Sequence, residues 1–186
     1  SHFERFERHL NAPGDPAARD AFVSGVKNEM PHETFLELAA WYWAAGRPGD
    51  ARRVLSLSPP SAEVKYWSAY LAAREQDRAA ESLLREADAA SPTLVFPLRA
   101  ESVDVFEWAA GLSSSWKPKY YLALARWGLN DLAGARELMV RLGDEPRYAP
   151  FYAARAEAIA AASRAQARTD LERAAAIDPG GWRYGK

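Results

Sequence analysis

The sequence has no cysteine in 186 residues. Disulfides, thiolate nucleophiles and Cys-ligated zinc are therefore excluded, although zero cysteine suits an oxidising or a reducing compartment equally. An excess of one charge is also missing: 24 Lys and Arg stand against 25 Asp and Glu, for a net charge of −1. That balance excludes a nucleic-acid binder working by bulk charge. The longest unbroken apolar run, Leu38 to Ala45, has eight residues, far short of the roughly 20 that span a bilayer. Neither a nucleic acid nor a membrane is expected as partner. Ile, Val and Thr together number only 13, so strands lack their usual β-branched residues.

Helix formers take their place. Ala (38) and Leu (18) make up 30% of the chain, and both rank high in helix propensity. With 48% apolar and 26% charged residues, the composition is that of a folded all-α protein. Arg outnumbers Lys 19 to 5, a bias that with the alanine excess fits a GC-rich bacterial genome. The chain starts at Ser1 and not Met, so it reads as a piece of a longer, multidomain protein. The compartment stays open, with the cytoplasm favoured.

The internal pattern is repetitive. Segments beginning near His32, Ser61, Trp116 and Tyr148 each read as an apolar-periodic helix, a short break and a second helix. The breaks fall at 46–50, 75–77, Asn130-Asp131 and Ala162-Ser163. After each comes an alanine, Ala51, Ala80, Ala135 and Ala167, and four residues later Leu55, Leu84, Met139 and Leu171. Two segments add Ala87 and Ala174, then close with Ser91-Pro92 and Asp178-Pro179. A small residue lets paired helices approach closely, and the proline stops the second one.

This pattern resembles the tetratricopeptide repeat (TPR) family over about residues 32–179. The resemblance implies a right-handed α-α superhelix of antiparallel helix pairs, a TPR-like solenoid, as a single array over 1–186. Its parts are degenerate N-terminal helices (1–30), repeats at 32–60 and 61–92, and an extra helix and loop at 93–115. Repeats at 116–147 and 148–179 follow, and 180–186 would open a further helix with Trp182 and Tyr184. The extra helix is expected near 97–112, largely buried, with Leu98, Val105, Ala109 and Leu112 on one stripe; lacking a partner, it should break the alternation of helix pairs. Ser115 is expected to cap the helix at Trp116, with Pro118 in its first turn.

A narrower resemblance covers Val95-Phe96-Pro97-Leu98-Arg99 through Glu107-Trp108-Ala109, Trp116 to Leu124, Gly143-Asp144 and Ala149 to Ala156. These segments are similar to the helical part of a bacterial multidomain family in which a β-rich domain of unknown function precedes a TPR array. That family brings no activity to carry over.

Candidates for chemistry are few. His2, His9 and His32 show no zincin spacing and read as solvated surface. Glu101 with Asp104, and Glu33 with Glu37, could do acid–base work, but exposed helix faces explain them, and acids near a helix start are favoured there. Ser113–Ser115 have no histidine partner nearby, and 46–49 is a turn, not a phosphate loop. No enzyme activity, metal or cofactor is expected.

The aromatic content is the sharper feature: 7 Trp, 8 Tyr and 7 Phe. Projecting the groove-facing positions of TPR repeats onto this chain gives, as candidate groove residues, Trp43, Lys65, Lys117, Tyr120, Trp127 and Tyr152. Glu33, Leu36, Ala69, Leu124, Ala156 and Ile159 also fall at such positions. The lysine and asparagine set of carboxylate-clamping TPRs is not reproduced; Lys65 alone sits at a matching place. The expected function is a non-enzymatic protein–protein interaction scaffold that binds a peptide or partner protein through an aromatic groove. The alternative is a carbohydrate-binding or accessory helical module supporting an attached β-rich domain. A homodimer is compatible with either.

Overall fold

A computed structural model describes residues 1–181; Trp182 and Tyr184, expected to open a further helix, lie outside the described residues. Among those described there are eleven helices and no strand: α1 (His2–Asn11), α2 (Pro16–Val23), α3 (Pro31–Ala44), α4 (Pro48–Ser56), α5 (Ala62–Arg74), α6 (Ala80–Ala89), α7 (Glu101–Leu112), α8 (Lys117–Gly128), α9 (Leu132–Arg141), α10 (Ala149–Ile159) and α11 (Arg164–Ile177). The fold is all-α and TPR-like, built of consecutive packed helix pairs α1/α2, α3/α4, α5/α6, α8/α9 and α10/α11. No described helix is long and apolar enough to cross a membrane. The chain forms two compact units, Ser1–Val95 and Phe96–Lys186.

Local chemistry explains the helix starts. Ser1 and Glu4 form a reciprocal capping box on α1. Asp15 accepts the Ala17 N–H and Pro16 opens α2. Ser61, Asp131 and Ser163 accept the backbone N–H groups of Val64, Gly134 and Gln166. The turns inside three of the pairs share one device: Gly46, Gln76 and Asn130 have φ of 72°, 56° and 66°. A left-handed residue there ends the first helix and lets the chain reverse.

In the first unit, Phe6 of α1 meets Phe22 of α2 at 5.0 Å and Tyr42 of α3 at 5.4 Å, and Phe22 meets Phe35 at 5.4 Å. Glu7 fixes α1 on this core by accepting from the Tyr42 hydroxyl (2.7 Å) and the Arg47 guanidinium (2.9 Å). Burial, then the Glu7 hydrogen bond and charge, push the Tyr42 phenol up. α5 is enclosed on most sides, with Tyr66, Trp67 and Leu71 fully buried. Arg52 of α4 bridges Glu75 and Asp77 at the α5–α6 turn, at 2.8 and 2.7 Å.

The second unit has its own core. Phe106 of α7 packs on Tyr121 of α8 at 5.4 Å, and Tyr120 meets Phe151 of α10 at 5.5 Å. Ala156, Ile159 and Ala167 join α10 to α11.

Several expectations need correction. α7 is paired, since it packs along α8, and it is amphipathic, burying only Ser102, Val105, Phe106 and Ala109. It also starts at Glu101; Pro97 disfavours helix at the residue before it. Leu98, outside the helix, and Leu112, its last residue, are both exposed, not core. Ser115 acts one residue early: its Oγ accepts the Lys117 N–H at 3.3 Å, while Trp116 holds the N-cap position of α8. α2 ends at Val23 and a turn over 24–30 precedes Pro31. Finally, His32 is buried, not solvated.

The alanines at the expected contact positions differ in burial. Ala51, Ala87, Ala135 and Ala174 are fully enclosed and Ala167 nearly so. Ala80 is only half-buried because it is the first residue of α6. It comes four residues after the left-handed Gln76, whereas Ala51 and Ala135 come five after Gly46 and Asn130. Leu171 is exposed, unlike Leu55, Leu84 and Met139.

Candidate functional site

The six candidate groove residues fall in both units, Trp43 and Lys65 in the first and Lys117, Tyr120, Trp127 and Tyr152 in the second. Trp43 is half-buried with its indole edge-on to Tyr70 at 5.8 Å. Lys65 is half-buried one turn into α5. In the second unit, Lys117 is the half-buried first residue of α8, and Trp127 is half-buried near its end.

Tyr152 is not on a groove wall. It is 4% exposed, and the guanidinium carbons of Arg155 and Arg173 lie 5.2 and 5.8 Å from its ring centroid. Its hydroxyl donates to the Asp144 carbonyl at 3.4 Å. The cause is a buried ion pair that fixes α10 against α11. Arg155 donates from Nε to Asp170 Oδ2 at 2.8 Å and from a terminal nitrogen to Oδ1 at 2.6 Å, a bidentate pair with no exposed edge on the Asp170 side. Arg155 also donates to the Gly143 carbonyl and to Asp144. Asp170 and desolvation act in opposite senses on Arg155, and the hydrogen bond to Asp170 wins, raising the guanidinium. Arg173, then Arg155, hold the Asp144 carboxyl below its ordinary value.

Tyr120 is buried in an aromatic cluster with Trp116 (6.0 Å), Tyr148 (6.3 Å) and Phe151 (5.5 Å), yet one edge borders an open cleft. That cleft, of about 510 Å³, lies wholly within the second unit. Tyr120 and Leu124 of α8 form one side with Phe96 and Tyr148. Pro150, Ala153, Ala154 and Glu157 of α10, with Ala160 just past its end, form the floor, and Ala167 and Leu171 of α11 the far side. Of the positions projected from the repeat pattern, Tyr120, Leu124 and Ala156 line it. The others named above do not.

The floor follows from α10's two faces. Phe151, Tyr152, Arg155 and Ile159 turn inward, leaving Ala153, Ala154, Glu157 and Ala160 outward at spacings of three and four, with Ala156 buried at the cleft's base. These small side chains leave the backbone approachable. Glu157 is the cleft's one acid, is exposed and makes no ion pair. The sequence reading missed Phe96, Tyr148 and this alanine row. The i, i+3, i+4, i+7 spacing was the available signal, but it competes with an equally apolar opposite face.

Convergent catalytic groups are a different matter. Glu101 and Asp104 are both exposed on α7, and Glu33 and Glu37 lie along α3 with Glu37 exposed. Among the described residues, no three His, Asp or Glu are grouped to hold a metal ion.

No family model matches the chain and no curated protein matches it. Among solved structures, it is similar to MamA (residue 41 to the end) from Desulfovibrio magneticus RS-1, at 15% identity over 82% of this chain and 78% of that one, TM-score 0.42. It is also similar to the MamA RS-1 ArsTM double mutant, at 15% identity over 80% and 94% of the two chains, TM-score 0.36. A third is the C-terminal part of a TPR repeat-containing protein from Cytophaga hutchinsonii, at 17% identity over 98% and 81%, TM-score 0.35.

Proposed function

We propose that the chain is a non-enzymatic protein-interaction scaffold that seats an apolar segment of a partner protein in the cleft formed by α8, α10 and α11. The observation that carries this reading is the cleft's chemistry: an alanine floor flanked by tyrosine, leucine and phenylalanine, with one unpaired carboxylate, Glu157. Small floor residues allow a partner helix or strand to approach closely, and aromatic walls supply large contact area. A partner segment would present two or three apolar side chains and a Lys or Arg opposite Glu157.

The reading is tested by filling the floor. Ala154→Trp occupies the cleft from an outward position and leaves the inward face of α10 intact. Partners captured from a lysate with the native chain are identified, and the purified partner is titrated by calorimetry. Loss of at least about tenfold in affinity for Ala154→Trp, with an unchanged melting temperature, supports the cleft. Equal affinity removes it. Glu157→Lys separates a basic partner segment from a neutral one.

A further inference from the structure

A second cleft, in the first unit and independent of the one above, has different chemistry. It measures about 380 Å³ and lies between the start of α1 and α3. Thr34, Glu37, Leu38 and Trp41 recur at spacings of three, four and seven, so α3 presents them on one face. Trp41 is 49% exposed and is the one exposed tryptophan among the described residues. Phe3 of α1 meets it at 4.6 Å with the two ring planes 71° apart. Both rings rest on the fully buried Tyr42, Phe3 stacked on it at 5.9 Å and Trp41 edge-on at 5.1 Å. Glu7 in turn holds the Tyr42 hydroxyl. The cleft thus has a preorganised aromatic corner with one wall left open to water.

A carboxylate stands beside that corner. Glu37, one turn before Trp41, is exposed and makes no ion pair or hydrogen bond among the described residues. Thr34 Oγ1 is already engaged, since it accepts from Asn28 Nδ2 at 3.0 Å. Two features oppose a cation here. The Ser1 ammonium lines the rim, but Glu4 pairs with it at 2.8 Å and joins Ser1 in the capping box that closes the start of α1. His2 repels a cation only in its protonated form.

We propose that this cleft binds a quaternary ammonium group of the choline type, with Trp41 and Phe3 as its aromatic walls and Glu37 as its counter-charge. The methyl groups of such a cation fill the corner between the rings, and its charge is attracted by their faces and by Glu37. Other ligand classes fit the same features less well. A neutral apolar group strips water from Glu37 and returns nothing. A primary ammonium brings three N–H donors to satisfy, against a single free carboxylate. A sugar ring stacks on a flat platform with several polar groups beside it, whereas these two rings meet steeply.

The experiment titrates choline chloride into the full chain at constant ionic strength, with sodium chloride as the balancing salt. Backbone amide shifts over 34–41 report binding. The expected result is a saturable one-site response that Trp41→Ala weakens by about fivefold or more and Glu37→Gln by about threefold or more. A linear, unsaturated drift, or an unchanged affinity in Glu37→Gln, would overturn the proposal. Glu37 is exposed and unpaired, so its variant keeps the test decisive even if Trp41→Ala fails to fold. Two ligand controls add to it. The neutral isostere 3,3-dimethylbutanol bound as tightly as choline overturns the role of charge. Ethanolamine bound as tightly overturns the quaternary assignment. A short peptide carrying trimethyl-lysine distinguishes the source: weaker binding than choline assigns the site to the free ion, tighter binding to a methylated side chain.

Discussion

Arg155 is the residue on which the α10–α11 pair turns. Its guanidinium is 6% exposed and its partner Asp170 not at all, so removing Asp170 leaves a buried guanidinium held only by Asp144 and the Gly143 carbonyl. Asp170→Ala should cost on the order of 3–5 kcal/mol in urea unfolding, far more than deletion of an exposed pair such as Arg168–Glu172. Tyr152 stands on the same network. With a buried ring, Tyr152→Ala should destabilise by about 3–5 kcal/mol, while Tyr152→Phe loses only the long hydrogen bond to Asp144 and should stay within about 1 kcal/mol. Asp144 gives the pH response. Its folded carboxyl lies below the ordinary 3.8 because Arg173 and then Arg155 favour the charged form. Its contribution is therefore complete above the unfolded value, near 4, and fades as pH falls through the folded one. Unfolding midpoints measured between about pH 5 and pH 2 should decline, and Asp144→Asn should flatten that acid limb.

Helix pairs depend on where small and left-handed residues fall. Ala87 is fully enclosed and Ala80 is not, so Ala87→Leu should cost about 1–3 kcal/mol by overpacking. Ala80→Leu at the opening of α6 should cost distinctly less; comparing the two melting curves checks the register. At the turns, Gln76 adopts the conformation Gly46 has without strain. Gln76→Gly should therefore raise stability by up to about 1 kcal/mol, and Gly46→Ala should lower it although no atom lies within 4 Å of the added methyl. The pairs were legible in the sequence because their breaks carry this chemistry: Gly46 with Pro48, Asn130 with the capping Asp131, and Ser163, whose hydroxyl oxygen accepts the Gln166 N–H. The start of α7 was not, because Leu98 continues the helical spacing of Val105 and Ala109 while Pro97 and the turn through Arg99 keep it outside the helix.

For the whole molecule, two compact units each carry a cleft of distinct character, one apolar in 96–181 and one that sets a carboxylate beside two aromatic rings in 1–95. The sequence signalled aromatic residues available for binding, and Tyr120 does line the first of these clefts, while Trp41 of the second was not among them. It did not signal which alanine row of α10 faces outward, since that helix is apolar nearly all round and periodicity cannot rank its faces. What ranks them is the Arg155–Asp170 pair, a contact between positions 15 apart that turns Phe151 and Tyr152 inward. The most direct test of the apolar cleft as the partner site is site-specific photo-crosslinking in a lysate of the native organism. A photo-reactive residue is placed at Ala154, and in a second preparation at the exposed Arg136 of α9. A discrete partner band from position 154, absent from position 136 and competed away by unlabelled native chain but not by Ala154→Trp, is the predicted result. Equal labelling from both positions, or competition by Ala154→Trp as effective as by the native chain, would contradict the account.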